Sequence, residues 1–263
     1  MSAISGPDLT GRVCVITGGL GFLGRAIAEA FVGNGAFVVL VDRAPEPPEA
    51  VAAEPWFASA QYVAADLSDM ASIDAAVAAI RARHETVSVL INNAAFVGSD
   101  ARDGWTTEFA SQSVDIFQKA LTVNLTAPFY LTQQLMPLLV QSTHGSVINV
   151  GSIYAMVGPD WTLYEGTESG NPAGYAASKG GLLQLTKWLA TSLAPDVRVN
   201  AFCPGGIERG QDPLFQARYN ARVPMGRLAK VEDFIGVCLF LASDMSAYVT
   251  GQNVAVDGGW TAW

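Results

Sequence analysis

Short apolar runs rich in β-branched residues recur along the 263-residue chain, and they predict about seven buried strands. Longer stretches with helical spacing of apolar residues separate most of these runs. The predicted strands cover Arg12–Thr17, Phe37–Val41, Gln61–Ala65, Val87–Ile91, Ser146–Val150, Val197–Phe202 and Asn253–Val256. This alternation predicts an α/β fold, in which a doubly wound, mostly parallel sheet carries helices on both faces. The composition does not shift within residues 1–263, so we expect a single domain.

One predicted helix, Phe117–Val140, contains an irregular point. Asn124 lies in its interior, where asparagine is unfavourable because its side chain competes for backbone hydrogen bonds. Pro128 follows and removes a helix donor, so the pair predicts a kink that frees backbone carbonyl groups. Further helices are predicted over Arg25–Val32, over Met70–Arg83 with Asp69 as its N-cap, and over Val231–Leu241.

Charge and cysteine usage argue against several classes of partner. The net charge of −9 argues against binding to nucleic acid or to an anionic membrane. No apolar run approaches the length of a membrane span, and Met1–Thr10 shows no secretory leader. Cys14, Cys203 and Cys238 stand singly in apolar surroundings, without the spacing of a metal site. We therefore expect a cytoplasmic protein with reduced cysteines and no metal.

A glycine turn follows the first predicted strand and leads into a predicted helix. Gly18, Gly21 and Gly24 thus place backbone N–H groups at a helix N-terminus, which suits a pyrophosphate. Asp42 ends the second strand, where a carboxylate accepts hydrogen bonds from ribose hydroxyls and repels a 2′-phosphate. This arrangement favours NAD over NADP, although the adjacent Arg43 softens the preference. The alternative is that Asp42 only caps a loop.

Polar residues also end three further strands, where ligands bind in open α/β sheets. Asp66 follows the third strand and is placed to meet an adenine. Small and polar residues, Asn92–Ala95, follow the fourth strand and let the backbone pass under a cofactor. Ser152 follows the fifth strand and therefore lies on the expected ligand side of the sheet.

Tyr175 and Lys179 are four residues apart at the start of an apolar helix, so they share one helix face. A free tyrosine titrates near roughly pH 10, too high for proton transfer at neutral pH. A lysine ammonium about 4 Å away contributes roughly 4 kcal/mol, which is equivalent to about three pKa units. The pair therefore predicts a phenol that acts as a general acid/base. The alternative is an exposed Tyr/Lys pair on an amphipathic helix.

Along nearly its whole length the sequence resembles the short-chain dehydrogenase/reductase family, whose single-domain Rossmann-type fold agrees with the predicted sheet. The resemblance rests on the order of its motifs, each of which is weak alone. The motifs are the glycine turn after Thr17, Asp66, Asn92–Ala95, Asn124, Ser152, Tyr175-x-x-x-Lys179, Pro204-Gly205-Gly206 and Asp257-Gly258-Gly259.

The resemblance implies an oxidoreductase that moves a hydride between nicotinamide and a secondary alcohol or ketone. Ser152 would hold the substrate oxygen and Tyr175 would pass the proton. Lys179 would lower the Tyr175 pKa and bind the nicotinamide ribose, and Asn124 would anchor a water that links Lys179 to solvent. The resemblance also implies a homotetramer, with a homodimer as the alternative, built through the helices around Asn124 and Tyr175 and through the C-terminal strand.

The cofactor contacts that the resemblance implies come from the strand ends and from the helix that carries Tyr175. They are Gly18, Gly21, Phe22, Leu23, Gly24, Asp42, Arg43, Asp66, Leu67, Asn93, Ala94, Ala95, Tyr175, Lys179, Pro204, Gly205 and Ile207. The cofactor itself would be NAD.

Two departures separate the chain from the short, single-domain branch of that family. The glycine turn reads T-G-x-x-G-x-x-G, with Phe22 where that branch has glycine and with Gly21 one place earlier. Ser152 and Tyr175 are 23 residues apart (175 − 152), a wider gap than that branch has. Both features resemble the extended branch, whose members often act on nucleotide sugars.

The wide gap contains an insert, residues 158–169, which must either border the site or fold away from it. Its aromatic and carboxylate side chains suit a sugar, because they offer an aromatic face and acceptors for hydroxyl groups. We therefore predict a sugar or sugar phosphate as the substrate, and a surface loop with an unrelated role is the alternative. The candidate substrate contacts are Tyr154, Trp161, Glu165 and Arg209.

The motif Pro204-Gly205 is usually followed in that family by a threonine that meets the carboxamide, but here Ile207-Glu208-Arg209-Gly210 follows. Arg209 thereby becomes a candidate anchor for an anionic substrate group. The glycine turn, the insert and this ending together look most like a subgroup of bacterial surface-glycan and flagellin-modification pathways. Other interpretations stay open: a dehydrogenase for a small non-sugar alcohol, ketone or acyl substrate, a cofactor-binding regulator without turnover, or a sugar epimerase or dehydratase.

Overall fold

The computed structural model describes residues 6–98, 104–167 and 169–263. Two sequence predictions extend beyond these ranges. The first five residues of the stretch in which we predicted no leader lie outside the described residues, as does Glu168 of the insert. None of the described helices is both long and apolar enough to cross a bilayer.

The described residues form one seven-stranded sheet in which every pair of neighbouring strands is parallel. Its strands are β1 Val13–Thr17, β2 Phe37–Asp42, β3 Ala60–Ala64, β4 Val89–Asn92, β5 Ser146–Val150, β6 Arg198–Pro204 and β7 Asn253–Val256. The predicted fold class is therefore confirmed, and the bounds lie within two residues of the predicted ones.

The strand order, β3-β2-β1-β4-β5-β6-β7, reverses direction between β1 and β4. Connections leave the sheet on opposite sides at such a point, so a crevice opens beyond the carboxyl ends of the two strands. The glycine turn follows β1, and Asn93 follows β4. The topology therefore brings the predicted nucleotide-binding residues to one edge of the sheet.

Helices cover both faces of the sheet, as predicted. They are α1 Phe22–Gly33, α2 Glu49–Ala52, α3 Met70–Arg81, α4 Val114–Leu121, α5 Ala127–Gln141, α6 Ala173–Leu193, α7 Pro213–Arg222 and α8 Ile235–Ala242. Apolar residues of α3, α5 and α6 form a core with one face, and those of α1 and α8 form a second core with the other. A single 3-10 turn, Val231–Phe234, replaces the first part of the last predicted helix.

Helix α7 was not predicted, because its residues are polar and show no clear apolar stripe. Two local signals in the sequence do mark its start. Asp212 is the N-cap, and its carboxylate accepts a hydrogen bond from the Leu214 N–H at 2.7 Å. Pro213 occupies the first helical position, where a missing N–H costs nothing.

The predicted irregular point in the long helix is a π-helical turn, Thr122–Thr126, which separates α4 from α5. Asn124 lies in this turn with its side chain completely buried. Pro128 falls in the first turn of α5, where its missing N–H is tolerated. A π-helical turn contains about one residue more than an α-helical turn, so the helix is irregular at the predicted place.

Buried polar side chains connect the centre of the sheet to α6. The Asn92 amide donates to Asn149 Oδ1 at 2.8 Å, and Asn149 Nδ2 donates to Thr186 Oγ1 at 2.9 Å. Thr186 Oγ1 in turn donates to the Leu182 carbonyl at 2.8 Å. Because all three linking side chains are buried, each lost partner leaves an unpaired polar group away from water.

We expect Thr186→Val to lower the free energy of unfolding by about 1–3 kcal/mol, because it removes the acceptor of the Asn149 amide and little volume. Urea denaturation followed by circular dichroism measures this change. Thr191→Val is the matched control, since Thr191 lies on the exposed side of the same helix and should change stability by less than about 0.5 kcal/mol. Equal effects of the two substitutions would contradict the interpretation.

Candidate active site

The glycine turn after β1 is held against the strand end of β4. Gly18 has φ +62°, and a Cβ at this position would lie 2.9 Å from the Ala94 Cα. A Cβ on Gly24 would lie 2.1 Å from the Gly18 carbonyl oxygen. Glycine is therefore required at both positions, for backbone conformation at Gly18 and for close packing at Gly24.

The hydroxyl of Thr17 joins the two strand ends. Thr17 Oγ1 accepts hydrogen bonds from the backbone N–H groups of Asn93 and Ala94, each at 3.0 Å. The Asn93 side chain donates back to the carbonyl groups of Thr17 and Gly18 at 2.9 and 3.1 Å. These bonds fix the floor on which a nucleotide would lie.

Two carboxylates border this floor. Asp42 accepts hydrogen bonds from the backbone N–H groups of Leu20 at 3.0 Å and Arg43 at 2.8 Å. Asp66 accepts from the backbone and hydroxyl of Ser68 at 2.8 and 2.7 Å, and these bonds, the backbone one first, hold the pKa of its carboxyl below the usual value. Each carboxylate oxygen has more than one lone pair, so both side chains retain acceptor sites for hydroxyl or amino groups.

These residues line a groove of about 310 Å³, which we call the nucleotide groove. From the predicted cofactor set the groove includes Gly18, Gly21, Phe22, Leu23, Asp42, Arg43, Asp66, Leu67, Asn93, Ala94 and Ala95. Gly24 lies beneath it, packed on Gly18. Lys119, Val97 and Val123 also line the groove, and sequence reasoning missed them because they follow no strand end.

The groove fits a dinucleotide. Gly21 is the N-cap of α1, so the unpaired N–H groups of the first helical turn lie where the groove passes the glycine turn. Asp42 supplies a carboxylate at the end of β2, at the position suited to ribose hydroxyls. The absence of side chains at Gly18 and Gly21 leaves room for a pyrophosphate between these two features.

A second cavity of about 300 Å³ adjoins the groove, and we call it the catalytic cavity. The structure brings Ser152, Tyr175 and Lys179 together in its lining, along with Pro204, Gly205 and Ile207. The Lys179 side chain is 2% exposed, and its Nζ donates to the Val150 carbonyl at 2.6 Å. Its Nζ also lies 5.9 Å from the centroid of the Tyr175 ring.

Burial dominates the protonation of both titratable groups. Burial lowers the pKa of the Lys179 amine to about 8, because the charged form loses its hydration. Burial raises the pKa of the Tyr175 phenol, while a hydrogen bond with Ser152 and the charge of Arg209 oppose this rise. In the protein alone, the Tyr175 pKa therefore shifts in the opposite direction from the one that we predicted. A lowering by Lys179 stays a prediction.

Asn124 is connected to the same helix by its side chain. Its Oδ1 accepts from the Phe96 N–H at 2.6 Å, and its Nδ2 donates to the Phe96 carbonyl and to Ser178 Oγ, at 3.2 and 3.0 Å. The Ser178 hydroxyl donates to the Tyr175 carbonyl at 2.8 Å. Asn124 thus contacts the residue before Lys179, and its predicted role as a water anchor stays a prediction.

The four predicted substrate contacts divide into two pairs. Tyr154 and Arg209 line the catalytic cavity. Trp161 lies on a neighbouring cavity, and Glu165 is exposed with its carbonyl accepting from Arg218 at 2.5 Å. Neither Trp161 nor Glu165 is among the described residues that line the catalytic cavity, so a substrate contact by either remains untested.

Arg209 lies where the two cavities meet and lines both of them. Its guanidinium carbon lies 5.7 Å from the centroid of the Phe22 ring, a contact that a cation and an aromatic face favour. Phe22 occupies the place at which the glycine turn departs from the short branch. The phenylalanine that replaces glycine in this turn therefore provides the ring against which Arg209 packs.

The residues of the catalytic cavity that were not identified from the sequence as site residues include three aromatic side chains and one amide: Tyr164, Phe215, Tyr219 and Gln211. Tyr164 belongs to the insert, and its hydroxyl forms a hydrogen bond with that of Tyr154. Phe215 and Tyr219 are four residues apart on α7, a spacing that places both on one helix face. That spacing was a usable signal, because two aromatic rings on a polar helix indicate a buried face.

Comparison with known proteins agrees with this arrangement. The family model described as Enoyl-(Acyl carrier protein) reductase matches residues 21–261. The 3-oxoacyl-[acyl-carrier-protein] reductase FabG of Thermotoga maritima is 34% identical over 260 residues, which cover 95% of this chain and 98% of that protein. A protein of Rhizobium meliloti named "Probable galactose dehydrogenase GalD" is 36% identical over 264 residues, covering 96% of each.

Solved structures give the same result. A short-chain dehydrogenase from Leptospira borgpetersenii with bound NAD+ superposes with a TM-score of 0.85 at 30% identity, covering 97% of this chain and 94% of that one. A gluconate 5-dehydrogenase from Burkholderia cenocepacia, in complex with NADP and tartrate, superposes with a TM-score of 0.84 at 27% identity, covering 97% of each chain. On the matching family model, the relatives and the shared fold, the chain belongs to the short-chain dehydrogenase/reductase family of oxidoreductases.

Proposed function

We propose that the protein is an NAD-dependent dehydrogenase/reductase that acts on a hydroxyl or keto group of a sugar or sugar phosphate. The observation that carries the proposal is the meeting of Ser152, Tyr175 and Lys179 in one cavity beside the nucleotide groove. A bound nicotinamide would accept or supply the hydride. Every other step falls to side chains of this chain.

The proton would travel through Tyr175. Ser152 is 5% exposed and would hold the substrate oxygen next to the phenol, since both hydroxyl groups line the same cavity. The positive charge of Lys179, in its protonated form, would stabilise the phenolate that forms when Tyr175 gives up its proton. Asn124, through Ser178, would fix the helix turn that carries both groups.

The preference for NAD rests on Asp42. Its carboxylate borders the groove at the end of β2, where a 2′-phosphate would meet negative charge. Arg43 lines the same groove and offers the opposite charge. One solved relative holds NAD+ and another holds NADP, so these structures support a nicotinamide cofactor without favouring either form.

Polar groups around the catalytic cavity support a hydroxylated substrate. Tyr154, Tyr164, Tyr219 and Gln211 bring hydroxyl and amide groups to its lining, and Arg209 brings a positive charge for a phosphate or carboxylate. A relative named for galactose is similar in sequence over 96% of the chain, and a solved structure named for gluconate shares the fold. The second candidate is a 3-oxoacyl substrate, favoured by the relative from Thermotoga maritima.

The family resemblance supports a homotetramer or a homodimer, and the cysteine usage supports a place in the cytoplasm. Exposed apolar side chains lie on the two helices that would pair: Phe129, Met136 and Val140 on α5, and Trp188 on α6. All three cysteines are buried free thiols, which suits a reducing compartment. Sedimentation equilibrium of the purified chain measures the assembly, and a monomer would contradict it.

We expect Tyr175→Phe to lower kcat by about 10²–10⁴-fold, because it removes the proton donor and leaves the ring in place. NADH absorbance in a screen of sugars, sugar phosphates, simple secondary alcohols and 3-oxoacyl thioesters measures the loss. Tyr130→Phe is the matched control, since Tyr130 lies on α5 and its hydroxyl contacts only the exposed Asp74 among the described residues. Turnover of simple alcohols or thioesters alone would contradict the proposed sugar substrate but would still support the proposed dehydrogenase/reductase activity.

We expect Asp42→Asn to lower the ratio of kcat/KM with NAD to that with NADP by about tenfold or more, because it removes the charge that would repel a 2′-phosphate. Steady-state assays with each cofactor measure the ratio. Asp69→Asn controls for lost charge, since asparagine also caps a helix well and Asp69 caps α3. If the wild type prefers NADP, Asp42 does not determine the cofactor preference, and Arg43 becomes the candidate contact for the 2′-phosphate.

The Lys179 pKa predicts a dependence of stability on pH. Burying the charged Lys179 amine lowers the free energy of unfolding. This loss of stability is fully present below about pH 8, and it disappears as the pH rises towards 10.5, the ordinary pKa of lysine. Lys179→Met removes it, so the stability of the variant relative to wild type should fall by up to about 3 kcal/mol across that range. Urea denaturation at several pH values measures the difference. Lys187→Met, on the exposed side of α6, is the control, and parallel profiles for Lys179→Met and wild type would refute this origin.

A further inference from the structure

Arg209 lines both the nucleotide groove and the catalytic cavity, and its charge is unpaired. The residue is exposed, and its guanidinium has no hydrogen-bond or ion-pair partner among the described residues. The Phe22 ring, 5.7 Å from the guanidinium carbon, is the contact that holds it. A guanidinium has five N–H donors and a permanent charge. This charge is therefore available to a negative charge that forms in either cavity.

The fold restrains Arg209 at both ends of the residue. At the backbone, the Arg209 N–H donates to Gln211 Oε1 at 2.8 Å, and the preceding Glu208 N–H donates to the Ala229 carbonyl at 2.8 Å. At the tip of the side chain, the guanidinium lies against Phe22, the first residue of α1. The position of the charge is therefore set by contacts with two separate elements.

The charge of Arg209 acts on the phenol of Tyr175, which lines the same cavity. Burial raises the pKa of Tyr175, and the charge of Arg209 is one of the effects that oppose this rise. A nearby positive charge favours the phenolate, because it attracts the negative charge that remains when the proton leaves.

Further titratable groups face Tyr175 from other elements: Cys203 on β6, Tyr154 after β5, and Tyr164 in the insert. Burial raises the pKa of all three groups, so each is uncharged near neutral pH. Within the described part of the chain, the lining of the catalytic cavity contains no carboxylate. No negative charge in this lining therefore cancels that of Arg209.

Lys179 is the second cation in the lining of the catalytic cavity. Its Nζ donates to the Val150 carbonyl and lies 5.9 Å from the centroid of the Tyr175 ring. Burial lowers the pKa of this amine to about 8, so Lys179 loses its charge as the pH rises above that value. An arginine keeps its charge in proteins. At higher pH, Arg209 is therefore the cation of this lining that still favours the phenolate.

We propose that Arg209, held against Phe22, supplies a second positive charge that stabilises the Tyr175 phenolate and thereby assists proton transfer. The proposal deepens the proposed function and rests on it. When an alcohol is oxidised, the phenolate would take the hydroxyl proton of the substrate, and Arg209 would keep all of its own protons. Arg209 acts through Tyr175, so it is a positioning residue.

The test is a titration of Tyr175 in the full chain without cofactor. The ultraviolet absorbance of phenolate is measured against pH, and subtraction of the Tyr175→Phe curve isolates this residue. We expect Arg209→Gln to raise the pKa of Tyr175 by about half a unit to one unit, because a partly screened charge across a cavity contributes on that scale. Well below the midpoint, a rise of about one unit leaves roughly one-tenth of the phenolate.

Three variants control this measurement. Arg25→Gln removes the same charge from an exposed position on α1 outside both cavity linings, so it should leave the Tyr175 titration unchanged. Arg209→Lys keeps the charge and should reverse most of the shift. Phe22→Leu should give a smaller shift than Arg209→Gln and add nothing to it in the double variant, because the ring acts through the guanidinium. An unchanged titration in Arg209→Gln, or an equal shift in Arg25→Gln, would overturn the proposal.

An anion bound by the same guanidinium is a separate role with a separate measurement. Loss of such a contact in Arg209→Gln would raise the Kd for NAD, or the KM for a sugar phosphate, by about tenfold. Isothermal titration calorimetry and steady-state assays measure these constants. If either constant rises while the Tyr175 titration keeps its wild-type midpoint, Arg209 binds an anion only, and the proposal is overturned.

Turnover distinguishes this inference from the proposed function. The pH profile of kcat/KM reports the free enzyme, so Arg209→Gln should move the profile for alcohol oxidation to higher pH by the same amount as the titration. A shifted titration in a chain that turns over neither alcohols nor ketones would contradict the dehydrogenase and support the effect of Arg209 on Tyr175. Turnover with a titration and a pH profile that Arg209→Gln leaves unchanged would support the dehydrogenase and overturn this inference.

Discussion

One buried hydrogen bond arranges much of the candidate active site. Lys179 comes from α6, yet its amine donates to the Val150 carbonyl at the end of β5. A buried amine must find an acceptor, so this contact, together with the bond from Asn149 to Thr186, restrains the position of α6 along the sheet. Tyr175, one helical turn earlier, is thereby held at the cavity that Ser152 borders. The distance between the phenol and the strand end follows from the helix pitch.

The parts of the structure that follow a repeating pattern could be predicted from the sequence. Buried parallel strands appear as apolar runs, so the sheet and the polar residues at its carboxyl edge were accessible from the sequence, including Asp42, Ser152 and Asn93. The four-residue spacing of Tyr175 and Lys179 needed only helix geometry. These predictions rest on the spacing of residues that are near one another in the chain, and this spacing can be read from a single sequence.

The insert follows no period, and the details of its placement could not be predicted. Trp161 and Tyr164 both offered an aromatic face, but only Tyr164 lines the catalytic cavity. The choice depends on two distant contacts, the hydrogen bond between Tyr164 and Tyr154 and the bond from Arg218 to the Glu165 carbonyl. Contacts between residues of separate elements leave no local pattern, so they become visible only once the elements are packed.

The π-helical turn links α4 and α5 to the helix that carries Tyr175 and Lys179. Asn124 lies in the rod formed by α4 and α5, whose outer surface carries exposed apolar side chains, and its amide reaches Ser178 on α6. In the proposed oligomer, a neighbouring subunit in contact with these two helices would lie close to a hydrogen bond one residue from Lys179. The proton affinity of a buried amine changes with small shifts of its surroundings. In the proposed oligomer, subunit contact would thus influence proton transfer through the bond from Asn124 to Ser178.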